Sequence, residues 1–154
     1  MKTLKPLLLV VALMLAMAAW AQCANCAKTD TPPKAAGGNH PTIFKASGEK
    51  NWINGDYYFV YKFDKKPKVT GTSVLVVKLY DKNKKMKQDV LMTANAYMPA
   101  MKGMHDTGDI ALRLNKKGEY LVPITWVMSG KWEVELKFSK AGKQISYGCF
   151  DLNL

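Results

Sequence analysis

The sequence predicts an all-β protein: a single antiparallel β-sandwich of immunoglobulin-like type with seven or eight strands. From about residue 55 onward, apolar and polar residues alternate, and the 3.6-residue period of an amphipathic helix is missing. The apolar runs are rich in β-branched and aromatic residues, and turn-forming clusters separate them at short intervals. About 110 residues follow residue 41, which is enough for one domain around one core. We therefore expect the sandwich to span residues 42–154.

The first 21 residues have the pattern of a secretory signal peptide. Lys2 and Lys5 precede an apolar run over residues 7–19, and Ala19-Trp20-Ala21 supplies an A-x-A cleavage site. The apolar run is shorter than the ~20 residues that span a membrane, so a retained membrane anchor is the less favoured alternative. We expect residues 1–21 to be removed and the protein to be exported to the periplasm or cell envelope, which is an oxidising compartment.

Behind the expected cleavage site, Cys23 and Cys26 form a C-x-x-C in a short polar stretch, residues 22–41, that reads as a flexible linker. A thioredoxin-like redox site needs this motif at a helix start after a buried strand, which is not the context here. Lipid modification at Cys23 is also less favoured, because the residues before it lack the usual apolar-then-small pattern. Cys149 makes the cysteine count odd, which leaves open a local disulfide, a bridge from the tail to Cys149, or an additional soft-metal site.

The strands are predicted from runs bounded by turn residues. They lie at residues 57–63, 73–80, 90–97, 110–114, 120–126, 132–138 and 144–150, and residues 43–46 are a candidate eighth strand. Pro123 has no backbone N–H to donate, so its strand is expected at a sheet edge or with a bulge. The predicted core contains Val74, Val76, Tyr120, Trp132, Val134 and Leu136.

The clearest face assignment comes from residues 132–138, where four apolar side chains alternate with three charged ones. Successive side chains of a strand point to opposite faces, so the apolar set is expected to point inward and the charged set toward water. Trp126 and Trp132 flank residues 127–131, which look like a hairpin connection. Both tryptophans are expected in the core.

The candidate functional site is the segment N-A-Y-M-P-A-M-K-G-M-H, residues 95–105. It places Met98, Met101 and Met104 three residues apart, and His105 follows. Thioether and imidazole donors suit Cu(I), because a soft metal prefers sulfur ligands. Proline fixes φ and glycine admits positive φ, so the segment is expected to turn and to bring these donors toward one point. We predict a Cu(I) site there, with His105 as fourth ligand or tuning neighbour.

Two other roles for the methionines have to be weighed, since methionine is first a flexible filler of cores. Without the leader the chain has six methionines in 133 residues, and a seven-residue window would hold about 0.3 of one at average composition. The window from Met98 to Met104 holds three, and its polar neighbours are typical of a surface loop. An apolar docking surface and plain packing remain alternatives to metal binding.

These motifs carry a resemblance to known families. The order Met98-Pro-Ala-Met-Lys-Gly-Met-His105, Gly118-Glu-Tyr120 and then Met128-Ser-Gly-Lys-Trp132 resembles the YtkA-like and FixH-like domains over roughly residues 55–140. The resemblance implies a small exported or membrane-anchored β-sandwich, with copper handling or assembly of copper-containing oxidases in some relatives. It implies that Met98 and Met101 are the family positions, which Met104 and His105 extend. FixH-like proteins keep a transmembrane helix, which is not expected here.

Charge is the remaining signal. The formal net charge is +11, and removing Lys2 and Lys5 with the leader leaves +9. Lysine supplies this charge almost alone and clusters at residues 62–68 and 82–87, which gives long-range attraction with little geometric specificity. We expect a well-solvated surface, with an anionic envelope partner as the alternative. Nucleic acid is not expected, because the protein is exported and no basic motif is interleaved with aromatic residues.

The sequence favours a binding module over an enzyme. No G-x-S-x-G, H-E-x-x-H or phosphate-binding glycine loop is present, and one of the two histidines, His40, lies in the linker. The expected partners are a copper ion or a copper-handling protein of the cell envelope. The competing prediction is a metal-independent module that docks a protein or anionic partner through the methionine loop and the lysine-rich face.

Overall fold

The computed structural model describes residues 41–154, so the expected signal peptide and the C-x-x-C of the linker lie outside the described residues. The described part is built from strands and one short 3₁₀ helix. The strands are β1 (Thr42–Ile43), β2 (Asn51–Trp52), β3 (Tyr57–Phe63), β4 (Gly71–Asp81), β5 (Leu91–Tyr97), β6 (Ile110–Ala111), β7 (Arg113–Leu114), β8 (Tyr120–Trp126), β9 (Lys131–Lys140) and β10 (Lys143–Asn153). Over residues 41–154, no helix is long and apolar enough to cross a membrane.

The strands form two five-stranded sheets that enclose one core, which confirms the predicted β-sandwich. Sheet A has the order β1-β10-β9-β5-β6, and sheet B has the order β2-β3-β4-β8-β7. Residues 41–154 form ten strands instead of seven or eight, partly because the predicted strand at 110–114 divides in two. Its first half, β6, pairs with β5 and its second half, β7, pairs with β8, while Leu112 between them is buried.

One pairing departs from the antiparallel prediction. β1 runs parallel to β10, with Thr42 opposite Gly148 and Ile43 opposite Cys149. The N–H of Phe44 then donates to the carbonyl of Cys149 at 2.8 Å, and the Phe44 ring enters the core against Phe59 at 4.9 Å between ring centroids. The start of the described chain is therefore part of sheet A.

Five of the six predicted core residues are buried, and four of them belong to the cluster between the sheets. Tyr120, Trp132, Val134 and Leu136 are buried in the hydrophobic cluster between the sheets. Trp126 and Trp132 meet there edge to face, with ring centroids 5.3 Å apart. The expected roles of both tryptophans are therefore confirmed.

The predicted core position Val74 is wrong, because Val74 is only half-buried. Val76 is buried as predicted, but it is not part of the cluster between the sheets. In β4 the residues that join the inter-sheet cluster are Leu75, Val77 and Leu79, so the alternate residues, Val74 and Val76, lie on the outer face of sheet B. The run from Val74 to Val77 is apolar on both faces, so alternation could not identify the inner one. The register is marked by a polar residue instead: buried Ser73 points inward, and its Oγ accepts a hydrogen bond from Trp126 Nε1 at 2.7 Å.

The connection after β8 also differs from the prediction. Residues 127–130 join β8 in sheet B to β9 in sheet A, so they cross between sheets and do not close a hairpin. The prediction for Pro123 is confirmed: it pairs with Val74 on β4, while the other side of β8 is covered by β7 only at Tyr120 and Leu121. Pro123 thus occupies an edge position, where no ladder donor is missing.

Candidate metal site

The methionine segment follows β5 and folds into consecutive turns. A 3₁₀ helix spans Pro99–Met101, with proline at its first position. The N–H of Met101 donates to the carbonyl of Met98 at 2.9 Å, and the N–H of Met104 donates to the carbonyl of Met101 at 3.0 Å. Gly103 has φ of 88°, a value that side-chain-bearing residues rarely adopt. The predicted turning of this segment is therefore confirmed. Pro99 and Gly103, on which the prediction rested, both lie in the turns.

The loop is closed at its base by backbone and side-chain hydrogen bonds. The N–H of Met98 donates to the carbonyl of His105 at 3.3 Å, so the first and last candidate ligands are joined. Below them, Thr107 donates its N–H to the carbonyl of Ala96 at 3.0 Å, and its Oγ1 accepts from the N–H of Ala96 at 3.0 Å. The loop therefore leaves and re-enters sheet A at a fixed place.

The three methionines differ in exposure. Met98 is 6% exposed and belongs to the core cluster, Met101 is half-buried against that cluster, and Met104 is 78% exposed. His105 is half-buried. The packing interpretation thus describes the position of Met98 but does not account for Met104.

The burial of Met98 has a signal in the sequence that the prediction did not use. Met92, Ala94 and Ala96 are the residues of β5 that belong to the core cluster, and Met98 continues their two-residue period past the end of the strand. The next two methionines follow a three-residue spacing, in which side chains of a 3₁₀ turn eclipse one another. Met98 is therefore the residue at which the strand period changes to the turn period.

The residue before the loop, Tyr97, connects it to the outer face of sheet A. Its hydroxyl donates a hydrogen bond to the Glu133 carboxylate, and Lys102 Nζ lies 4.8 Å from its ring centroid in a cation–π contact. Burial, and then the neighbouring Glu133 carboxylate, raise the pKa of Tyr97 above its ordinary value. The phenol therefore stays a neutral hydrogen-bond donor at physiological pH and holds the loop over this face.

Cys149 lies near Tyr97 on the same outer face and carries a free thiol in the structure. It is buried, and burial, followed by the effect of Glu133, raises the pKa of the Cys149 thiol to about 11. A raised pKa keeps the group protonated at neutral pH, and the thiolate is the form that reacts and that binds metals. Cys23 and Cys26 lie outside the described residues, so the pairing of the tail stays a prediction.

We expect Cys149 of the reduced mature protein to resist alkylation by iodoacetamide at pH 8, because little thiolate exists three units below a pKa of about 11. The measurement is a time course of adduct formation at Cys149 by peptide mass spectrometry. The same protein in urea is the control and should be modified readily. Equal rates with and without urea would contradict the protected thiol.

A second methionine-bearing turn lies beside the loop. An ideal Cβ placed on Gly130 would be 3.0 Å from Cε of Met98, so the 127–130 connection packs directly on the Met98 methyl group. Met128 belongs to this connection and is 39% exposed. In the sequence Met128 stands out only as part of the Met128-Ser-Gly-Lys-Trp132 motif, and the predicted site does not include it. Its nearness depends on the crossing between sheets, which sequence spacing does not reveal.

The lysine-rich segments lie at the two ends of the sandwich. Residues 64–70 connect β3 to the start of β4, at the end that carries the methionine loop, because Gly71 pairs with Trp126. Residues 82–87 follow the other end of β4, whose eleven residues span about 34 Å. The predicted lysine-rich face is therefore two separate groups of charges in space.

The second group borders a cleft of about 360 Å³ at the end away from the methionine loop. Asp81 accepts hydrogen bonds from the backbone N–H groups of Lys85 and Asn83, which lower its pKa, and Lys87 lies 3.4 Å away. At the same end, Lys140 pairs with Asp89 at 2.8 Å and lowers the pKa of that carboxyl. The acidic groups of this end are thus already paired with lysines or capped by backbone.

Within residues 41–154, no three His, Cys, Asp or Glu side chains come together in a group that could hold a metal ion. The soft donors in the loop and in the connection packed on it are the thioethers of Met98, Met101, Met104 and Met128 and the imidazole of His105. Such a donor set fits a soft monovalent metal and is poor for Mg²⁺ or Ca²⁺, which take oxygen ligands.

Comparison with known proteins gives one match. A family model described as YtkA-like matches residues 54–137, which is more than half of the 154-residue chain. The matched stretch contains both the methionine loop and the 127–130 connection. Neither the curated proteins nor the solved structures include a match to this chain. The FixH-like part of the predicted resemblance stays a prediction.

Proposed function

The chain belongs to the YtkA-like family, and for this member we propose an exported, soluble metal-binding module that holds or passes Cu(I) through residues 98–105. The observation that carries the proposal is the pair of consecutive turns that sets Met98, Met101 and Met104 at three-residue intervals, with His105 bonded back to Met98. The backbone of the loop is already folded, so binding requires little ordering of the chain. Preorganisation of this kind is what lets a short segment bind a metal well.

The differences in exposure among the methionines suit a site that both holds and releases its ion. Met98 is fixed by the core and supplies a rigid donor, whereas Met104 is exposed and can change rotamer to close on the ion or to let it go. Thioethers carry no proton, so methionine ligation persists in acid, while a histidine ligand must be neutral to bind. A weakening of binding in acid would therefore assign a ligand role to His105.

The test replaces Met98, Met101 and Met104 together by leucine. Leucine keeps the apolar volume and removes the sulfur, so the fold should be retained while Cu(I) affinity falls by at least about 100-fold. Affinity is measured by competition with a chromophoric Cu(I) chelator under anaerobic conditions. If the triple variant keeps one equivalent with unchanged affinity and loss of Cys23 and Cys26 abolishes uptake, the tail is the site and the loop proposal is wrong.

The second candidate is a metal-independent interaction module of the cell envelope, as the sequence also predicted. It is favoured by the exposed apolar side chains at the loop end, where Met104, Val127 and Met128 are all exposed, and by the lysines of residues 64–70 beside them. Such a surface would dock a protein or another anionic partner. Failure of the purified wild-type protein to retain Cu(I) would favour this candidate. In both cases we propose a binding module and not an enzyme.

A further inference from the structure

The 127–130 connection is held rigidly against the methionine loop. Trp132 Nε1 donates a hydrogen bond to the carbonyl of Met128 at 3.0 Å. Gly130 exchanges two backbone hydrogen bonds with Leu154, at 3.0 and 3.1 Å, so the segment after β10 holds the other side of the connection. The 3₁₀ helix Pro99–Met101 in turn contacts β9, which begins at Lys131 directly after the connection. The loop and the connection therefore form one surface.

Within that surface, Met128 is placed to reach the loop. Consecutive Cα atoms are 3.8 Å apart, so the Cα of Met128 lies within about 7.6 Å of the Cα of Gly130, against which Met98 packs. Two long methionine side chains can meet over that separation. Met128 is partly exposed and lies outside the buried core cluster, so no core packing fixes its rotamer.

Gly130 shows that the close approach of the two segments is built into the backbone. Its φ is 125°, and a Cβ there would lie 3.0 Å from the Met98 methyl group, so a side chain at this position would be strained and would press on Met98. Glycine therefore lets the connection that carries Met128 approach Met98 closely.

We propose that Met128 is a fourth thioether ligand of the Cu(I) bound at residues 98–105, which rests on the function proposed above. The ligand set then draws three donors from the loop after β5 in sheet A and one from the β8–β9 crossing, so metal binding ties the two sheets together at this end. Four sulfurs complete the coordination of a soft ion without histidine. Met128 therefore contributes to affinity, and binding stays insensitive to acid.

The test compares Met128→Leu with Met86→Leu in the full mature chain, with Cu(I) as the probe. Met86 is a matched control, because it is 40% exposed against 39% for Met128 and bridges to Tyr80 at the other end of the sandwich. We expect Met128→Leu to weaken Cu(I) binding at least about ten-fold and Met86→Leu to leave it unchanged. X-ray absorption at the copper edge should show one sulfur neighbour fewer in Met128→Leu.

A ligand exchange provides the second readout. In Met128→His, a true ligand position should replace one copper–sulfur contact by a copper–nitrogen contact and make the affinity fall in acid, because imidazole must be neutral to bind. If Met128 has only a structural role, Met128→His should change neither the atoms bound to copper nor the dependence of the affinity on pH. Urea unfolding of the variants without metal checks that leucine and histidine at this partly exposed position leave the fold intact.

The outcomes separate this inference from the proposed function. If Met128→Leu binds like the wild type while the triple leucine variant fails, Met128 is not a ligand and the loop site stands. If the wild type retains no Cu(I), or if the triple variant binds normally, the proposed function is wrong, and so is the inference about Met128. A ten-fold loss of affinity in Met128→Leu but not in Met86→Leu, with one sulfur neighbour fewer and with failure of the triple variant, supports both.

Discussion

Replacing Trp132 by alanine is expected to lower the free energy of unfolding by about 3–5 kcal/mol. Trp132 is 1% exposed and meets Trp126 edge to face at 5.3 Å between ring centroids, so its removal leaves a large cavity between the sheets. It also releases the carbonyl of Met128, to which the indole donates. Small domains have a total stability of about 5–15 kcal/mol, so this change removes a large share of it.

Urea unfolding followed by tryptophan fluorescence and circular dichroism measures the effect of Trp132→Ala. Val127→Ala is the control in the neighbouring connection, because Val127 is exposed and its truncation should cost well under 1 kcal/mol. A loss below about 1 kcal/mol for Trp132→Ala would contradict the central place of this tryptophan in the core.

Alternation identified Trp132 in advance, because the charged residues between its apolar neighbours leave only one face for the core. The same rule failed at Val74 and Val76, where a continuous apolar run in a central strand has no polar residue to mark the outer face. The marker there is Ser73, which looks solvent-facing by type and is in fact the buried partner of Trp126 Nε1. Polar residues of a strand are usually assigned to the solvent face, but one that accepts a hydrogen bond from a buried donor lies on the core face instead.

The sequence predicted the path of the backbone at the candidate site, but not where the methionine side chains lie. Pro99 and Gly103 predicted a turning segment, and the structure contains it, because these residues restrict or extend the allowed φ locally. The burial of Met98 and the nearness of Met128 were not predicted. The burial of Met98 follows from the two-residue period of β5, a local signal that the prediction did not use. The nearness of Met128 depends on the passage of residues 127–130 from one sheet to the other, which is a long-range feature.

The parallel pairing of β1 with β10 was not predicted from the sequence either, yet it explains why residue 148 is a glycine. A Cβ added at Gly148 would lie 2.2 Å from the carbonyl oxygen of Thr42 and 2.5 Å from the ring of Phe44. Neither approach is possible for a carbon atom, and the first neighbour is backbone, which cannot rotate aside. Any side chain at position 148 must therefore displace β1 from β10.

We expect Gly148→Ala to destabilise the protein about as much as removing the Phe44 side chain, about 3–5 kcal/mol. Displacing β1 withdraws Phe44 from its edge contacts with Phe59 and Phe138, at 4.9 and 6.2 Å between centroids. Gly55→Ala is the matched control, because a Cβ there meets nothing within 4 Å and its φ lies outside the left-handed region. Urea unfolding of both variants gives the comparison.

The double variant Phe44→Ala with Gly148→Ala distinguishes this mechanism from a local clash. If the glycine substitution acts by expelling β1 and its phenylalanine, the two changes remove the same contacts, and the double variant should be scarcely less stable than either single variant. Simple additivity of the two losses would show that Gly148 matters for something other than the seating of Phe44. A Gly148→Ala variant as stable as Gly55→Ala would show that β1 does not pack on β10 as the structure has it.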